Sequence, residues 1–98
     1  LKTLGDSDPY VRGLVALALG RTGKAEDRVI EALLQALGDS ESYVRGSVAL
    51  GLGRIGKADD RLIEALLKAL EDCDGYVRQS AAYTLGQLGK MEDRVIEA

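Results

Sequence analysis

Apolar residues along the chain fall into two alternating patterns. One, carried by Val11, Val15, Ala18 and Leu19, follows an acidic turn, and the other is carried by Val29, Ile30, Leu33, Leu34 and Leu37. Both recur at helical steps of three and four, which gathers the apolar residues on one side of an α-helix. The first pattern predicts a helix, B, whose preceding turn supplies capping oxygens and whose first turn suits Pro9. The second predicts a helix, A, over about Asp27 to Leu37 and again over about Asp60 to Leu70. Acids in its first turn and Lys68 near its end agree with the helix dipole. Gly20, Gly53 and Gly86 stand where helix B is expected to end, with Gly23, Gly56 and Gly89 closing the turn.

The same order of elements comes round again. Tyr10-Val11-Arg12, Tyr43-Val44-Arg45 and Tyr76-Val77-Arg78 stand 33 residues apart, each behind an acidic turn ending at Asp8, Glu41 or Asp74. Each short helix has an apolar side that it cannot bury alone, so stacking of successive units makes the core. The expected fold is all-α, a solenoid of about three helix-turn-helix units forming a single domain over 1–98, in register 1–33, 34–66 and 67–98. Leu1 to Leu4 matches Leu34 to Leu37, and Asp93 to Ala98 matches Asp60 to Ala65. With Leu1 where a methionine would open a chain, this register reads as one stretch of a longer array.

Composition narrows the functional classes. Four tyrosines are the only aromatics, so the core must be aliphatic, as helices of Leu and Ala provide. A net charge of -3 with acids and bases interleaved leaves no basic stripe, so no nucleic-acid partner is expected. No apolar run approaches the roughly twenty residues that span a bilayer, and no membrane partner is expected. Cys73 is the only cysteine, which excludes an internal disulfide and suits a reducing compartment, the cytoplasm.

No histidine is present, which removes Ser-His-Asp and Cys-His nucleophiles and the ordinary zinc sites, so no enzyme, metal or cofactor is expected. Gly51-Leu52-Gly53-Arg54-Ile55-Gly56 has the spacing of a dinucleotide loop, yet it closes a helix and would present the wrong dipole end to a phosphate. The acidic turns lack the ligand order of a calcium loop and are read as caps. Cys73 is read as a free surface thiol. Gly13, Gly46 and Gly51 inside helix B read as drift away from a consensus repeat.

Val77-Arg78 through Gly89 follows Val-Arg-x-x-Ala-Ala-x-x-Leu-Gly-x-[Ile/Leu]-Gly, and the chain thereby resembles the bilin-lyase type of HEAT-like repeat. The resemblance implies a non-catalytic scaffold that binds a protein or peptide on the concave face formed by the Val-Arg helices. It also implies an alternative, a phycobilin lyase or chaperone-like subunit, while the half helices ending at Ala98 and beginning at Leu1, which together make nearly one helix A, give a second, a head-to-tail self-assembling repeat. Carried onto this chain, the partner-binding residues are Tyr10, Leu14, Leu17 and Arg21, then Tyr43, Ser47, Leu50 and Arg54, then Tyr76, Gln79, Ser80, Tyr83 and Gln87. Helical geometry agrees, since Tyr10, Leu14, Leu17 and Arg21 share a stripe apart from Val11 and Val15. A tyrosine at one place in every copy equally fits a packing residue, and both readings stand. Arg12, Arg45 and Arg78 are read as structural, reaching acids such as Asp39 or Asp72 in a partly exposed ladder whose pairs contribute under about 1 kcal/mol each.

Overall fold

A computed structural model describes residues 8–21, 27–55 and 59–97, with side chains described as far as Gly89. Among these residues the chain forms five helices and no strand: α1 (Pro9–Arg21), α2 (Asp27–Ala36), α3 (Ser42–Ile55), α4 (Asp60–Ala69) and α5 (Gly75–Glu97). The Val-Arg helices are α1, α3 and α5; α2 and α4 are the intervening A helices, each ending one residue before the leucine expected to close it.

Asparate side chains start these helices. Asp8 accepts the backbone N–H of Tyr10 at 2.9 Å, Asp74 that of Tyr76 at 2.8 Å, and Asp59 that of Arg61 at 2.8 Å. Each bond satisfies one of the donors that a helix N-terminus leaves open. The turns between A and B helices are tied the same way, with Asp39 accepting from the N–H of Glu41 and Asp72 from that of Asp74, both at 2.9 Å.

α3 sits in the middle of a row, packed against α1 on one side and α5 on the other, while α2 packs on α3 and α4 on α5. The core fills the space between this row and the A helices, with Ile30 and Leu33 of α2, Val44, Val48, Leu52 and Ile55 of α3, Leu62 and Leu66 of α4, and Ala81 and Leu88 of α5. Burial follows neighbours. Val44, Val48 and Leu52 are fully buried, whereas their counterparts Val11, Val15 and Leu19 are only half-buried and Ala18 is exposed. The residues that α1 does bury are Gly13, Ala16 and Gly20, because α3 covers that side of it and no other B helix is described beyond. Leu67 is 50% exposed where Leu34, its counterpart in α2, has α4 beside it.

Two expectations about glycine change. The helix does not stop at Gly86, nor does the chain turn at Gly89: α5 runs on through both. A glycine permits a turn without imposing one, and an A helix folds back only when the next B helix offers it an apolar surface. Gly23 and Gly56 lie outside the described residues. Gly13, Gly46 and Gly51 are not drift. They lie where helices meet most closely, as the next subsection shows.

Candidate functional site

The outward side of α1, α3 and α5 is organised by contacts between copies of the same motif. Arg12 reaches forward to Asp39, its Nε donating to Oδ2 at 2.8 Å and its Nη2 to Oδ1 at 3.0 Å. Arg45 repeats this geometry onto Asp72 at 2.8 and 3.0 Å. Each fork is bidentate, and the four side chains are only 14 to 15% exposed. The ladder is therefore more buried than a surface pair, and stronger than the sequence reading allowed. Arg45 Nη1 also donates to the carbonyls of Asp39 and Ser40, so one guanidinium holds the turns before and after it. The Arg12 and Arg45 guanidinium groups hold the carboxyls of Asp39 and Asp72 below the usual aspartate range, and the backbone N–H bonds of the turns add to this. Arg78 donates to the Asp72 carbonyl at 2.7 Å.

Beside the ladder the tyrosines stack. Tyr10 and Tyr43 have ring centroids 5.5 Å apart and 17° between planes, and Tyr43 and Tyr76 are 6.1 Å and 9° apart. The rings of Tyr43 and Tyr76 each lie over a glycine of the preceding B helix. A Cβ on Gly13 would stand 2.5 Å from Tyr43 Cε2, and one on Gly46 would strike the Tyr76 ring. Gly13 and Gly46 are thus seats for the tyrosine of the following helix. In α5 the matching position carries Gln79, which is exposed.

Most of the sequence-derived contact residues reach the surface. Tyr10 and Tyr83 are about 60% exposed, Leu14 and Tyr76 rather less, while Arg21, Arg54, Gln79 and Gln87 are exposed and Leu17, Tyr43 and Leu50 half-buried. Ser47 and Ser80 do not belong with them, being 0% and 3% exposed. Their position in the motif faces the preceding B helix: the bare Gly13 brings α1 against the Ser47 hydroxyl, which lies 3.4 Å from Tyr76 Oη. The same position in α1 holds Leu14, 45% exposed, with no described B helix before it.

The two B-helix junctions differ in what stands between the helices. Between α1 and α3 the approach is backbone to backbone, since a Cβ on Gly20 would collide with the Gly51 carbonyl and one on Gly51 would come within 2.6 Å of the Ala16 oxygen. Between α3 and α5 the counterpart of Gly51 is Thr84, whose Cγ2 fills the space that a Cβ on Gly53 would need. Thr84 Oγ1 donates to the Ala49 carbonyl at 3.0 Å, which fixes the side chain between the helices. Between α3 and α5 lies a cavity of about 390 Å³ lined by Leu50, Gly53, Arg54, Tyr83, Thr84 and Gln87. Gln87 Nε2 donates to Tyr83 Oη at 3.3 Å on its rim. Sequence reasoning found four of these six residues but not the hollow, although Thr84 in place of Gly51 and Tyr83 in place of Leu50 already set the third copy of the motif apart.

The glycine-rich stretch from Gly51 lies inside α3 up to Ile55, with no helix N-terminus at it, and its Gly56 lies outside the described residues. Among the described residues no three His, Cys, Asp or Glu side chains are grouped to hold a metal, and no helix is long and apolar enough to cross a membrane. Cys73 is exposed, with its thiol free. Residues 1–86 match the family model of HEAT repeats. No curated protein matches the chain.

Proposed function

The chain belongs to the HEAT repeat family, and on that premise we propose that it is a non-catalytic scaffold that binds a protein or peptide on the outward side of α1, α3 and α5. HEAT repeats generally serve as protein-interaction scaffolds and are typically non-enzymatic. The observation that carries the reading is the row formed by Leu17, Leu50 and Tyr83, apolar area left open beside the hollow while the tyrosine row and the arginine ladder below it are absorbed in holding the helices together. Rigid aromatic and aliphatic area with a polar tip is the usual chemistry of an interface anchor.

Selection of a displayed random-peptide library on the protein is expected to enrich binders that lose affinity at least about tenfold when Leu17, Leu50 and Tyr83 are all replaced by Glu, with helicity unchanged. Binders indifferent to that triple replacement would sink the surface. The phycobilin-lyase alternative is supported by the Val77 to Gly89 motif alone; faster attachment of phycocyanobilin to its apo-subunit in the presence of this protein would favour it over a scaffold.

Head-to-tail assembly is opposed by the tyrosine seats. A second copy stacking in register would have to set its Tyr10 over residue 79, where Gln79 stands instead of the glycine found at 13 and 46. Sedimentation is expected to show one monomeric species over a wide range of protein concentration. Concentration-dependent growth would reinstate the self-assembling reading.

A further inference from the structure

We infer that the hollow between α3 and α5 seats a side-chain carboxylate, so that the partner is an acidic protein segment. The inference deepens the scaffold reading and rests on it.

Charge is distributed unevenly. The chain carries 16 acids and a net charge of -3, yet no Asp or Glu lies in α1, in α3, or in α5 as far as Gly89. The acids sit in the turns, in the A helices and in the part of α5 beyond Gly89. Arg12, Arg45 and Arg61 are all paired with carboxylates. Arg21 and Arg54, both exposed and one motif apart on the open side, have no ion pair among the described residues. A face without acids carrying unneutralised arginines, on a protein that is acidic elsewhere, complements an acidic segment and repels a basic one.

The hollow supplies the rest. Arg54 forms one wall and offers a planar fork of donors. Tyr83 Oη accepts from Gln87 Nε2, which leaves the phenol hydrogen to donate away from Gln87. Leu50, Gly53 and the Thr84 methyl complete an apolar wall and floor that takes the stem of a Glu side chain. The end of α3 lies one residue past Arg54, and its dipole offsets part of that charge, so selectivity rests on direct donation from Arg54 and Tyr83 more than on long-range field. Arg21, Arg54 and Arg78, spread over three helices, do not match a run of phosphates, which favours protein over nucleic acid.

The test uses a short fluorescein-labelled peptide of alternating Glu and Leu, its Gln-for-Glu counterpart, and anisotropy at moderate salt. The Glu peptide is expected to bind about tenfold tighter than the Gln peptide. R54Q should remove that preference, weakening the Glu peptide more than the Gln peptide, and Y83F should weaken the Glu peptide about fivefold. Arg54 is exposed, so R54Q keeps its fold by circular dichroism. Equal binding of the two peptides, indifference to R54Q, or equally tight binding of single-stranded RNA or anionic vesicles overturns the proposal. Library binders that dock on the Leu17, Leu50 and Tyr83 row but show no acidic preference overturn it while leaving the scaffold reading intact. A library that enriches nothing removes both.

Discussion

Replacing Gly20 or Gly51 by alanine is expected to lower the unfolding free energy by about 3 kcal/mol, a large part of what a domain of this size commands. The cause is not conformational freedom, since both residues are in helices. It is the approach of α1 to α3. A Cβ at Gly20 meets the carbonyl carbon and oxygen of Gly51, and one at Gly51 meets the carbonyl of Ala16. Backbone cannot rotate away as a side chain does, so relief requires the helices to separate and the core around Ala16, Val48 and Leu52 to open. Gly86→Ala is the control. A Cβ there meets nothing within 4 Å, and the residue lies inside α5, so alanine is expected to raise stability by about 0.5–1 kcal/mol. Urea titration reads both changes as shifts of midpoint at constant slope. Equal effects at Gly20 and Gly86 would refute the close approach.

Asp72→Ala is expected to cost about 2 kcal/mol, because it leaves the Arg45 guanidinium, mostly buried, without its bidentate partner and removes the acceptor for the N–H of Asp74. Replacing both partners, Arg45→Met with Asp72→Leu, should recover part of the loss, since the larger penalty lies in the orphaned charge. The pair also sets an acid limit. Asp39 and Asp72 have folded-state pKa values lowered chiefly by hydrogen bonds from Arg12 and Arg45. Their contribution is therefore complete above the unfolded aspartate value of about 4 and is lost as pH falls through the lower folded value. Thermal unfolding followed downward from neutral pH should show this decline, and the Asp72→Asn protein should show a shallower one. Parallel pH profiles would mean that the pair does not stabilise the fold.

The tyrosine row shows how far sequence reasoning reached. Its spacing predicted that Tyr10, Tyr43 and Tyr76 would line up, and they do, but it left open whether they pack or bind. Gly13 and Gly46 show that the rings of Tyr43 and Tyr76 pack on the preceding helix, a contact that spacing alone could not reveal. The arginine ladder was legible for Arg12 and Arg45, partners included, except for its burial, whereas Arg78 takes the Asp72 carbonyl and not a carboxylate. Ser47 and Ser80 were misplaced because helical periodicity assigns a side chain a direction about its own axis and not the identity of the neighbour it faces.

By itself the sequence determined the helical class, the alternation of A and B helices, their bounds to within a residue or two in the inner units, and the absence of residues for histidine-based chemistry. These follow from period, capping and composition, which are local properties of the chain. Only the tertiary structure decided which side of each B helix is open and where helices approach closely enough to require glycine. Each depends on the distance between two helices, and that distance is set by the largest side chain between them, whether Gly51 at one junction or Thr84 at the other.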